Sequence, residues 1–524
     1  MRLLRVLTLA APLLAWAQVA PERIRHDDRE PGNWLTYSRN YNGQRYSPLS
    51  EITPANVGRL QAAWTYQIQQ PGKFSTSPIV IGGILYITEP GGEVVALDGR
   101  TGRPVWRFSR RPPPDLHACC GAANRGLAVL GDLLFVGTLD AHLLAIDLET
   151  GKLRWDRVVA DYQSGYAITV APLAFDDKVV VGIAGGEYGI RGFIDAYDAR
   201  SGRQVWRFWT IPGPGEPGND SWAGDSWKTG GGSTWITGSY DPALRTVYWG
   251  VGNPGPDYNG DARRGDNLYT CSIVALDADT GKLRWHFQFT PHDVNDWDSA
   301  HVPVLVDDGD RKLLLVANRN GFYYVLDRVT GAFIRGVQYG KQTWASGLDD
   351  KGRPVRLPNR EPSDEGTMVY PGFHGVTNWF SPSFSPLTGL FYVAVREEPA
   401  IFAKRREPYV PGQWFSGGNP SGVPKIEPTG SIRALEHASG RVAWEFPLKS
   451  PPWAGLMATA GGVVFGGSSE GMFYALDAAS GKPLWHYGTG APIFANAVSY
   501  LVNGRQQVAI AAGSGLFAFA LPDR

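Results

Sequence analysis

ALDGRTGRPVW, residues 96–106, is the first complete copy of a repeat that runs through most of the chain. Each copy reads as an apolar strand, a turn that contains an acidic residue, Thr or Ser, and Gly, and a second strand that ends in Trp. The Gly stands where the turn needs a positive φ, and the acidic side chain can accept hydrogen bonds from the turn amides. The other copies are AIDLETGKLRW (145–155), AYDARSGRQVW (196–206), ALDADTGKLRW (275–285), ALEHASGRVAW (434–444) and ALDAASGKPLW (475–485), with VLDRVTGAFIR (325–335) as a weaker copy without the Trp.

The spacing of these copies predicts a β-propeller. Most neighbours lie 41 to 51 residues apart, which is the length of a four-stranded blade. LFAFAL (516–521) has no turn or Trp after it, and LQAAWTY (60–66) has no such strand before it, so the two together complete one more blade. We therefore predict an all-β, eight-bladed propeller with tryptophan-docking repeats, its ring closed by N- and C-terminal strands in one shared blade. The repeat Trp side chains are expected to pack between blades.

The N-terminal stretch MRLLRVLTLAAPLLAWA has the pattern of an export signal. Two arginines precede an apolar run that is too short to span a bilayer, and Ala15-Trp16-Ala17 has the small-x-small form of a signal-peptidase site. We expect residues 1–17 to be a signal peptide and residues 18–524 to form a single propeller domain. Cleavage would place the protein in the periplasm, where a disulfide can persist. No C-x-x-C-H motif occurs, so no cytochrome c domain is predicted.

The charge balance excludes some classes of partner. The chain has 50 basic and 50 acidic residues, and removal of Arg2 and Arg5 with the signal leaves 48 against 50. A net charge of about −2 gives no basic surface of the kind that nucleic acids or anionic membranes attract. We expect no nucleic-acid partner and no membrane span. The oligomeric state is left open, a homodimer included.

Two of the three cysteines, Cys119 and Cys120, are neighbours. A disulfide between them would close almost no loop and so would add little stability. Such a constrained feature is more often kept for a site than for a scaffold. From the residues alone, two buried free thiols remain the alternative. Cys271 is expected to be a buried free thiol.

Six further stretches occur together: ACCGAANRGLA (118–128), GGEYGIRGFIDAYD (185–198), GDSWKTGGGSTW (224–235), GVGNPGPDYNG (250–260), GDNLYTCSIVALD (265–277) and TPHDVNDWD (290–298). In these motifs and their order the chain resembles the quinoprotein alcohol dehydrogenases, exported enzymes that use pyrroloquinoline quinone (PQQ). The resemblance runs from residue 33 nearly to the C-terminus.

The resemblance implies a set of cofactor-binding residues. Cys119 and Cys120 would form a vicinal disulfide against one face of PQQ, and Trp235 would lie against the other. Arg125 would pair with a PQQ carboxylate, which suits a guanidinium. The remaining residues implied to bind the cofactor are Thr169, Gly185, Gly186, Ser233, Arg319 and Trp453.

The resemblance also implies a metal site. Glu187, Asn253 and Asp296 match the side-chain ligands of the family, and their oxygen atoms suit a hard cation. Asp298 stands where lanthanide-type methanol dehydrogenases have aspartate and calcium-type enzymes have an uncharged residue. The implied ion is therefore a lanthanide(III) or Ca²⁺, with the lanthanide favoured. Some sugar-oxidising relatives also carry this aspartate, and a solvated turn carboxylate is the alternative for Asp298.

The implied reaction is the periplasmic oxidation of a small alcohol to an aldehyde or ketone, with hydride transfer to PQQ. Asp296 would be the general base, and Arg319 would stabilise charge at the reacting carbonyl. Without a haem in the chain, the electrons would pass to a soluble cytochrome c or a similar periplasmic acceptor. The alternatives are a PQQ-dependent sugar or polyol dehydrogenase and a non-catalytic propeller scaffold.

The match to the family breaks at two positions near the cofactor. A glutamate of the family aligns with Ser75, which would remove one polar contact to PQQ. An asparagine of the family aligns with Arg396. These departures bear on cofactor affinity and on the substrate.

Overall fold

The computed structural model describes residues 18–523, so the predicted signal peptide, residues 1–17, lies outside the described residues. The regular secondary structure of the described chain consists almost wholly of short strands. Its helices are one α-helix, Pro21–Arg25, and the 3-10 helices Asp27–Arg29, Val57–Arg59, Tyr162–Ser164, Gly186–Tyr188, Asn219–Ser221 and Ser226–Thr229. None of these described helices is long and apolar enough to cross a membrane.

Eight antiparallel four-stranded sheets form the body of the described chain. Sheet 1 contains Ile79–Ile81, Ile84–Glu89, Glu93–Asp98 and Pro104–Phe108; sheet 2 contains Ala128–Leu130, Leu133–Gly137, His142–Asp147 and Leu153–Val158; sheet 3 contains Leu173–Phe175, Lys178–Gly182, Phe193–Asp198 and Gln204–Trp209; sheet 4 contains Ser239–Asp241, Thr246–Gly250, Ser272–Asp277 and Leu283–Gln288. Sheet 5 contains Val304–Asp308, Arg311–Ala317, Phe322–Asp327 and Phe333–Gln338; sheet 6 contains Ser383–Ser385, Leu390–Glu397, Thr429–Glu436 and Val442–Leu448; sheet 7 contains Met457–Thr459, Val463–Gly467, Met472–Asp477 and Pro483–Gly488; sheet 8 contains Gln61–Gln67, Val498–Val502, Arg505–Ala512 and Gly515–Ala520.

Smaller strands lie outside this pattern. Tyr46–Ser47 adds a short parallel strand to sheet 7. The long connection from sheet 5 to sheet 6 carries the pair Ala345–Leu348 and Pro354–Arg356. A three-stranded sheet is formed by Thr367–Val369, Ala400–Lys404 and Gly418–Ser421.

Sheet 8 joins the two ends of the described chain. Gln61–Gln67 pairs antiparallel with Gly515–Ala520, so that Gln61 lies opposite Ala520 and Gln67 opposite Gly515. The N-terminal strand is the outer strand of this sheet, next to the last strand in the sequence. The two incomplete copies of the repeat, LQAAWTY (60–66) and LFAFAL (516–521), therefore belong to one sheet.

The repeat turn is built as its sequence requires. In the copy at 275–285, Oδ1 of Asp277 accepts hydrogen bonds from the amide and the hydroxyl of Thr280, at 2.9 and 2.8 Å. Gly281 has a φ of +68°, and a Cβ there would lie 2.6 Å from the ring of Trp206 in the preceding sheet. Glycine is needed here both for its backbone conformation and for the close approach of the indole.

The repeat Trp side chains connect successive sheets through their indole N–H groups. Five of them donate to a backbone carbonyl of the next repeat turn; Trp206, for example, donates to Ala278 at 3.2 Å. Trp64, Trp106, Trp155 and Trp444 make the same kind of bond. Trp285 differs, because its Nε1 has no hydrogen-bond partner among the described residues. The hydroxyl of Tyr248 donates instead to the carbonyl of Arg328 in the next repeat turn.

Candidate active site

One cavity of about 320 Å³ is lined by connections between the sheets, and it collects most of the predicted site residues. The predicted residues on its wall are Cys119, Cys120, Arg125, Thr169, Gly185, Glu187, Trp235, Asp296, Asp298, Arg319 and Trp453. Gly186, Ser233 and Asn253 are not part of the wall. Ser233 lies beside Gly186, since its Oγ is 3.3 Å from where a Cβ of Gly186 would stand. Asn253 lies beside Asp298, to which its backbone N–H donates at 2.8 Å.

Several separate connections bring these residues together, which explains why they are scattered in sequence. The cysteines lie between sheets 1 and 2, and Glu187 lies in the 3-10 helix Gly186–Tyr188 inside sheet 3. Trp235 precedes sheet 4, while Asp296 and Asp298 lie between sheets 4 and 5. Arg319 follows a strand of sheet 5, and Trp453 lies between sheets 6 and 7.

Cys119 and Cys120 form a disulfide on the cavity wall. Cys119 is half-buried and Cys120 is exposed, so the pair is not two buried thiols that pack as small hydrophobes. Their sulfur atoms and a carboxylate oxygen of Glu187 lie within 4.8 Å of one another. These three residues are not a metal triad, because sulfurs bonded to each other offer no thiolate. The disulfide instead gives the cavity one compact apolar wall beside an acidic side chain.

Arg125 is a buried cation that faces the cavity. Its guanidinium lies over the rings of Trp235 and Trp379, at 4.7 and 5.0 Å from their centroids. It forms no ion pair with a described residue, and its Nε has no described hydrogen-bond partner. Burial lowers the pKa of Arg125 to about 10, which leaves the group charged at neutral pH. An anionic ligand in the cavity would compensate this charge.

Asp298 connects three parts of the site. Its Oδ1 accepts the backbone N–H of Asn253 at 2.8 Å, and its Oδ2 accepts the indole N–H of Trp235 at 3.1 Å. Nη2 of Arg319 lies 3.0 Å from the same Oδ2. Asp298 is only 4% exposed, so it is not the solvated turn carboxylate of the alternative reading.

Asp296 presents its carboxylate to the cavity from an unusual backbone conformation. Its φ is +60°, in the left-handed region that few non-glycine residues occupy. Nη1 of Arg319 donates to its backbone carbonyl at 2.8 Å and lies 3.5 Å from its Oδ1. Burial raises the pKa of Asp296; Arg319 opposes this shift, and Asp298 and Glu187 add to it. The strained backbone is therefore held by contacts that aim the carboxylate into the site.

The acidic residues of the cavity suit a hard cation. Burial, reinforced by Asp298, raises the pKa of Glu187 to about 7. Four carboxylates line the cavity, those of Glu187, Asp257, Asp296 and Asp298, and Arg319 is the described cation that forms ion pairs with two of them. So much negative charge in one enclosed space is stabilised by a multivalent ion with a preference for oxygen ligands.

Two of the residues that contact this acidic group were not predicted. Asp257 is 2% exposed, and its Oδ1 accepts the side-chain N–H of Asn253 at 2.8 Å. The hydroxyl of Tyr258 donates to Oδ2 of Asp296 at 3.3 Å. Both lie in GVGNPGPDYNG, four and five residues after Asn253, so the motif that predicted Asn253 also carries them.

Arg396, which aligns with an asparagine of the family, is not part of the cavity wall. Arg396 lies against Trp453, with its guanidinium 4.1 Å from the ring centroid, and forms an ion pair with Glu398. Asn378, which was not predicted, lines the cavity, and its Oδ1 accepts a hydrogen bond from Nη2 of Arg319 at 3.1 Å. It lies in NWFSP (378–382), which precedes sheet 6. Ser75 lines the cavity as expected and donates to the carbonyl of Asn124 at 3.3 Å.

Comparison with known proteins identifies similar families and relatives. The family "Glucose/ethanol/alcohol dehydrogenase, beta-propeller domain" matches residues 34–343. A second family, outer membrane protein assembly factor BamB, matches residues 428–521. The quinoprotein alcohol dehydrogenase PedH of Pseudomonas putida is 37% identical over 545 residues, which cover 97% of this chain and 91% of PedH.

Solved structures show the same similarity. The quinohemoprotein alcohol dehydrogenase ADHIIG of Pseudomonas putida HK5 superposes with a TM-score of 0.90 at 34% identity, over 96% of this chain and 82% of that one. A europium-containing methanol dehydrogenase superposes with a TM-score of 0.89 at 32% identity, over 95% of this chain and 100% of that one.

The described chain is thus an all-β protein with one cavity that combines a vicinal disulfide, a buried guanidinium and four carboxylates. The comparisons then give the family: the chain belongs to the PQQ-dependent alcohol dehydrogenases.

Proposed function

We propose that this protein oxidises a small alcohol to an aldehyde or ketone in the periplasm, with PQQ and one hard metal ion as cofactors. The observation that carries the proposal is the composition of one cavity. It combines the Cys119–Cys120 disulfide, a buried guanidinium without an acidic partner and four carboxylates. The names of the relatives support an alcohol as substrate rather than a sugar or a polyol.

The proposed scaffold is an eight-bladed propeller in residues 18–524, preceded by a signal peptide in residues 1–17. Eight four-stranded sheets support the number of blades. The pairing of Gln61–Gln67 with Gly515–Ala520 supports a ring that closes through a shared blade. The apolar run before Ala15-Trp16-Ala17 supports export.

PQQ would be held between rigid flat surfaces and a fixed cation. The disulfide and the ring of Trp235 supply the surfaces, and Arg125 supplies a positive charge for a carboxylate of the cofactor. Thr169, Gly185, Gly186, Ser233 and Trp453 complete the proposed pocket. When bound, PQQ supplies a carbonyl carbon that accepts hydride, and the metal ion supplies Lewis acidity at that carbonyl.

Asp296 is the proposed general base, and it would take the hydroxyl proton of the alcohol at a carboxylate oxygen. Tyr258 and Arg319 hold this carboxylate from two sides, so its orientation does not depend on the substrate. Asn378 and Asp298 fix the guanidinium of Arg319 in turn. The positive charge of Arg319 would stabilise negative charge that develops on the reacting oxygen.

Glu187, Asn253, Asp296 and Asp298 are the proposed metal ligands. They are oxygen donors from three connections, and three of them are carboxylates, which suits a trivalent lanthanide better than Ca²⁺. The similarity to a europium-containing methanol dehydrogenase supports this preference. The electrons would leave to a soluble cytochrome c or a similar acceptor.

Reconstitution tests this proposal. The purified protein is loaded with PQQ and either Ca²⁺ or La³⁺, and dye reduction is followed with short primary alcohols, glucose, glycerol and sorbitol. Activity with alcohols in La³⁺ is the expected result; higher rates with sugars or polyols would change the substrate class. Absence of PQQ binding with either metal would leave a non-catalytic propeller.

Arg125→Gln should weaken PQQ binding, while Arg100→Gln, which removes an exposed guanidinium paired with Asp98, should not.

A further inference from the structure

Asp257 controls which way the side-chain amide of Asn253 points. Nδ2 of Asn253 donates to Oδ1 of Asp257 at 2.8 Å and to the carbonyl of Pro254 at 3.3 Å. Both partners can only accept hydrogen bonds when Asp257 is ionised, so the NH₂ group must face them. Oδ1 of Asn253 is then the free end of the amide, and no described donor binds it.

Asp257 itself is a buried carboxylate that Arg263 attracts only from beyond ion-pair distance. It is 2% exposed, and among the described residues no Lys, Arg or His forms an ion pair with it. Its acidic neighbours in the cavity are Glu187 and Asp298. A buried charge in this situation is stabilised by an ion that the site binds.

The loop that carries Asp257 is held independently of the cavity. Arg263 is fully buried, and its Nη2 donates to the carbonyls of Pro256 at 3.0 Å and Asp293 at 2.6 Å. Asp257 follows Pro256 directly, so this arginine fixes its backbone. Its position beside Asn253 is therefore preorganised rather than dependent on a bound ion.

We infer that Asp257 is a further residue of the proposed metal site, where it orients Asn253 Oδ1 toward the ion and makes the site selective for trivalent over divalent cations. This inference rests on the proposed function. Asp257 adds a fourth carboxylate to a cavity in which Arg319 is the guanidinium that forms ion pairs with two of the others. Each added carboxylate attracts a trivalent ion more strongly than a divalent one, because the attraction scales with the charge of the ion.

Two substitutions separate the two roles of Asp257. Asp257→Asn removes the charge, while its amide carbonyl can still accept the N–H of Asn253. Asp257→Ala removes both the charge and the acceptor. The control is Asp261→Asn, four residues further along the same loop, where an exposed carboxylate is paired with Lys404. The control removes the same charge outside the cavity.

The experiment measures metal binding directly, without substrate turnover. The full chain is stripped of metal with a chelator and titrated with Tb³⁺, whose emission nearby Trp and Tyr side chains sensitise, and with Ca²⁺ in competition. Asp257→Asn should weaken Tb³⁺ binding by about 10- to 100-fold and Ca²⁺ binding less. Asp257→Ala should weaken both, and Eu³⁺ emission lifetimes in H₂O and D₂O should show additional bound water. Asp261→Asn should bind as the wild type does.

Unchanged Tb³⁺ and Ca²⁺ binding in folded Asp257→Asn and Asp257→Ala would overturn the inference and leave the proposed metal site in place. Failure of the wild type to bind Tb³⁺ or Ca²⁺ would overturn the metal site itself. Circular dichroism establishes that each variant is folded, and Asp257→Asn, which keeps the hydrogen bond, covers the case in which Asp257→Ala does not fold.

Discussion

The hydroxyl of Tyr258 donates a hydrogen bond to the carboxylate of Asp296 across 3.3 Å. A residue of the connection inside sheet 4 thus holds the side chain proposed to accept the proton of the alcohol. Arg319 contacts Asp296 from sheet 5, so the carboxylate is positioned by two different parts of the fold. We expect both contacts to matter for turnover more than for stability.

Asp296→Asn should reduce kcat by roughly 10²–10⁴-fold, because an amide cannot accept the hydroxyl proton. PQQ should still bind, since the disulfide, Arg125 and Trp235 are unchanged. The measurement is dye-linked activity together with the absorbance of bound PQQ. Turnover at the wild-type rate in this variant would remove Asp296 from the role of base.

Tyr258→Phe should reduce kcat by roughly 3- to 30-fold and change KM little, because the lost hydrogen bond leaves Asp296 less well oriented. Steady-state kinetics on the reconstituted enzyme checks this. Tyr409→Phe is the control, because this half-exposed tyrosine does not line the cavity. Equal kinetics in the two variants would show that the contact with Asp296 has no catalytic effect.

Replacement of both Cys119 and Cys120 by Ala should weaken PQQ binding by about tenfold or more, because one wall of the cavity is lost. The free energy of unfolding should change by less than about 1 kcal/mol, since the disulfide closes almost no loop. PQQ titration and urea unfolding test the two statements separately. Treatment of the wild type with a thiol reductant should reproduce the loss of binding.

Trp206→Phe should destabilise the protein by about 1 kcal/mol more than Trp285→Phe does. The first substitution leaves the carbonyl of Ala278 without its indole donor, whereas Nε1 of Trp285 has no described partner to lose. Urea midpoints of the two variants give the comparison. Equal losses would mean that the indole hydrogen bonds between sheets contribute no net stability.

His301→Gln should make the free energy of unfolding depend less on pH below neutrality. Burial, with a smaller contribution from Arg319, lowers the pKa of His301 to about 3 from an ordinary value of 6.5. Below about pH 6.5 the imidazole of His301 binds a proton in the unfolded chain but not in the folded chain. The free energy of unfolding therefore falls as the pH falls toward 3. Between about pH 7.5 and about pH 5 the wild type should lose about 2 kcal/mol more than the variant.

Urea unfolding at the two pH values measures this difference. His26→Gln is the control, because this half-exposed side chain lies far along the chain from the cavity residues. A wild-type profile as flat as that of His301→Gln would show that His301 is protonated in the folded protein.

The repeat made the strands and turns predictable, because each copy carries its own strand alternation, turn chemistry and terminal Trp. It did not predict that Trp285 would lack a hydrogen bond. The hydroxyl of Tyr248, on a different strand, donates to the carbonyl of Arg328 in the next repeat turn, a contact that the repeat pattern alone does not show.

The site was predictable where its residues lie in short, dense motifs and less so elsewhere. ACCGAANRGLA and TPHDVNDWD gave residues that line one cavity. Asn378 was missed because it contacts Arg319 across 59 positions of sequence. Asp257 was missed because an acidic residue in a turn looks solvated until its neighbours in space are known.

The placement of Gln61–Gln67 as the outer strand of sheet 8 has a consequence for biosynthesis. Its described neighbour in the sheet is Gly515–Ala520, the last of the described strands in the sequence. The backbone groups of Gln61–Gln67 therefore cannot pair until more than four hundred further residues have been translated. A nascent chain that stalls before residue 515 presents an open strand edge of the kind that chaperones and aggregating partners recognise.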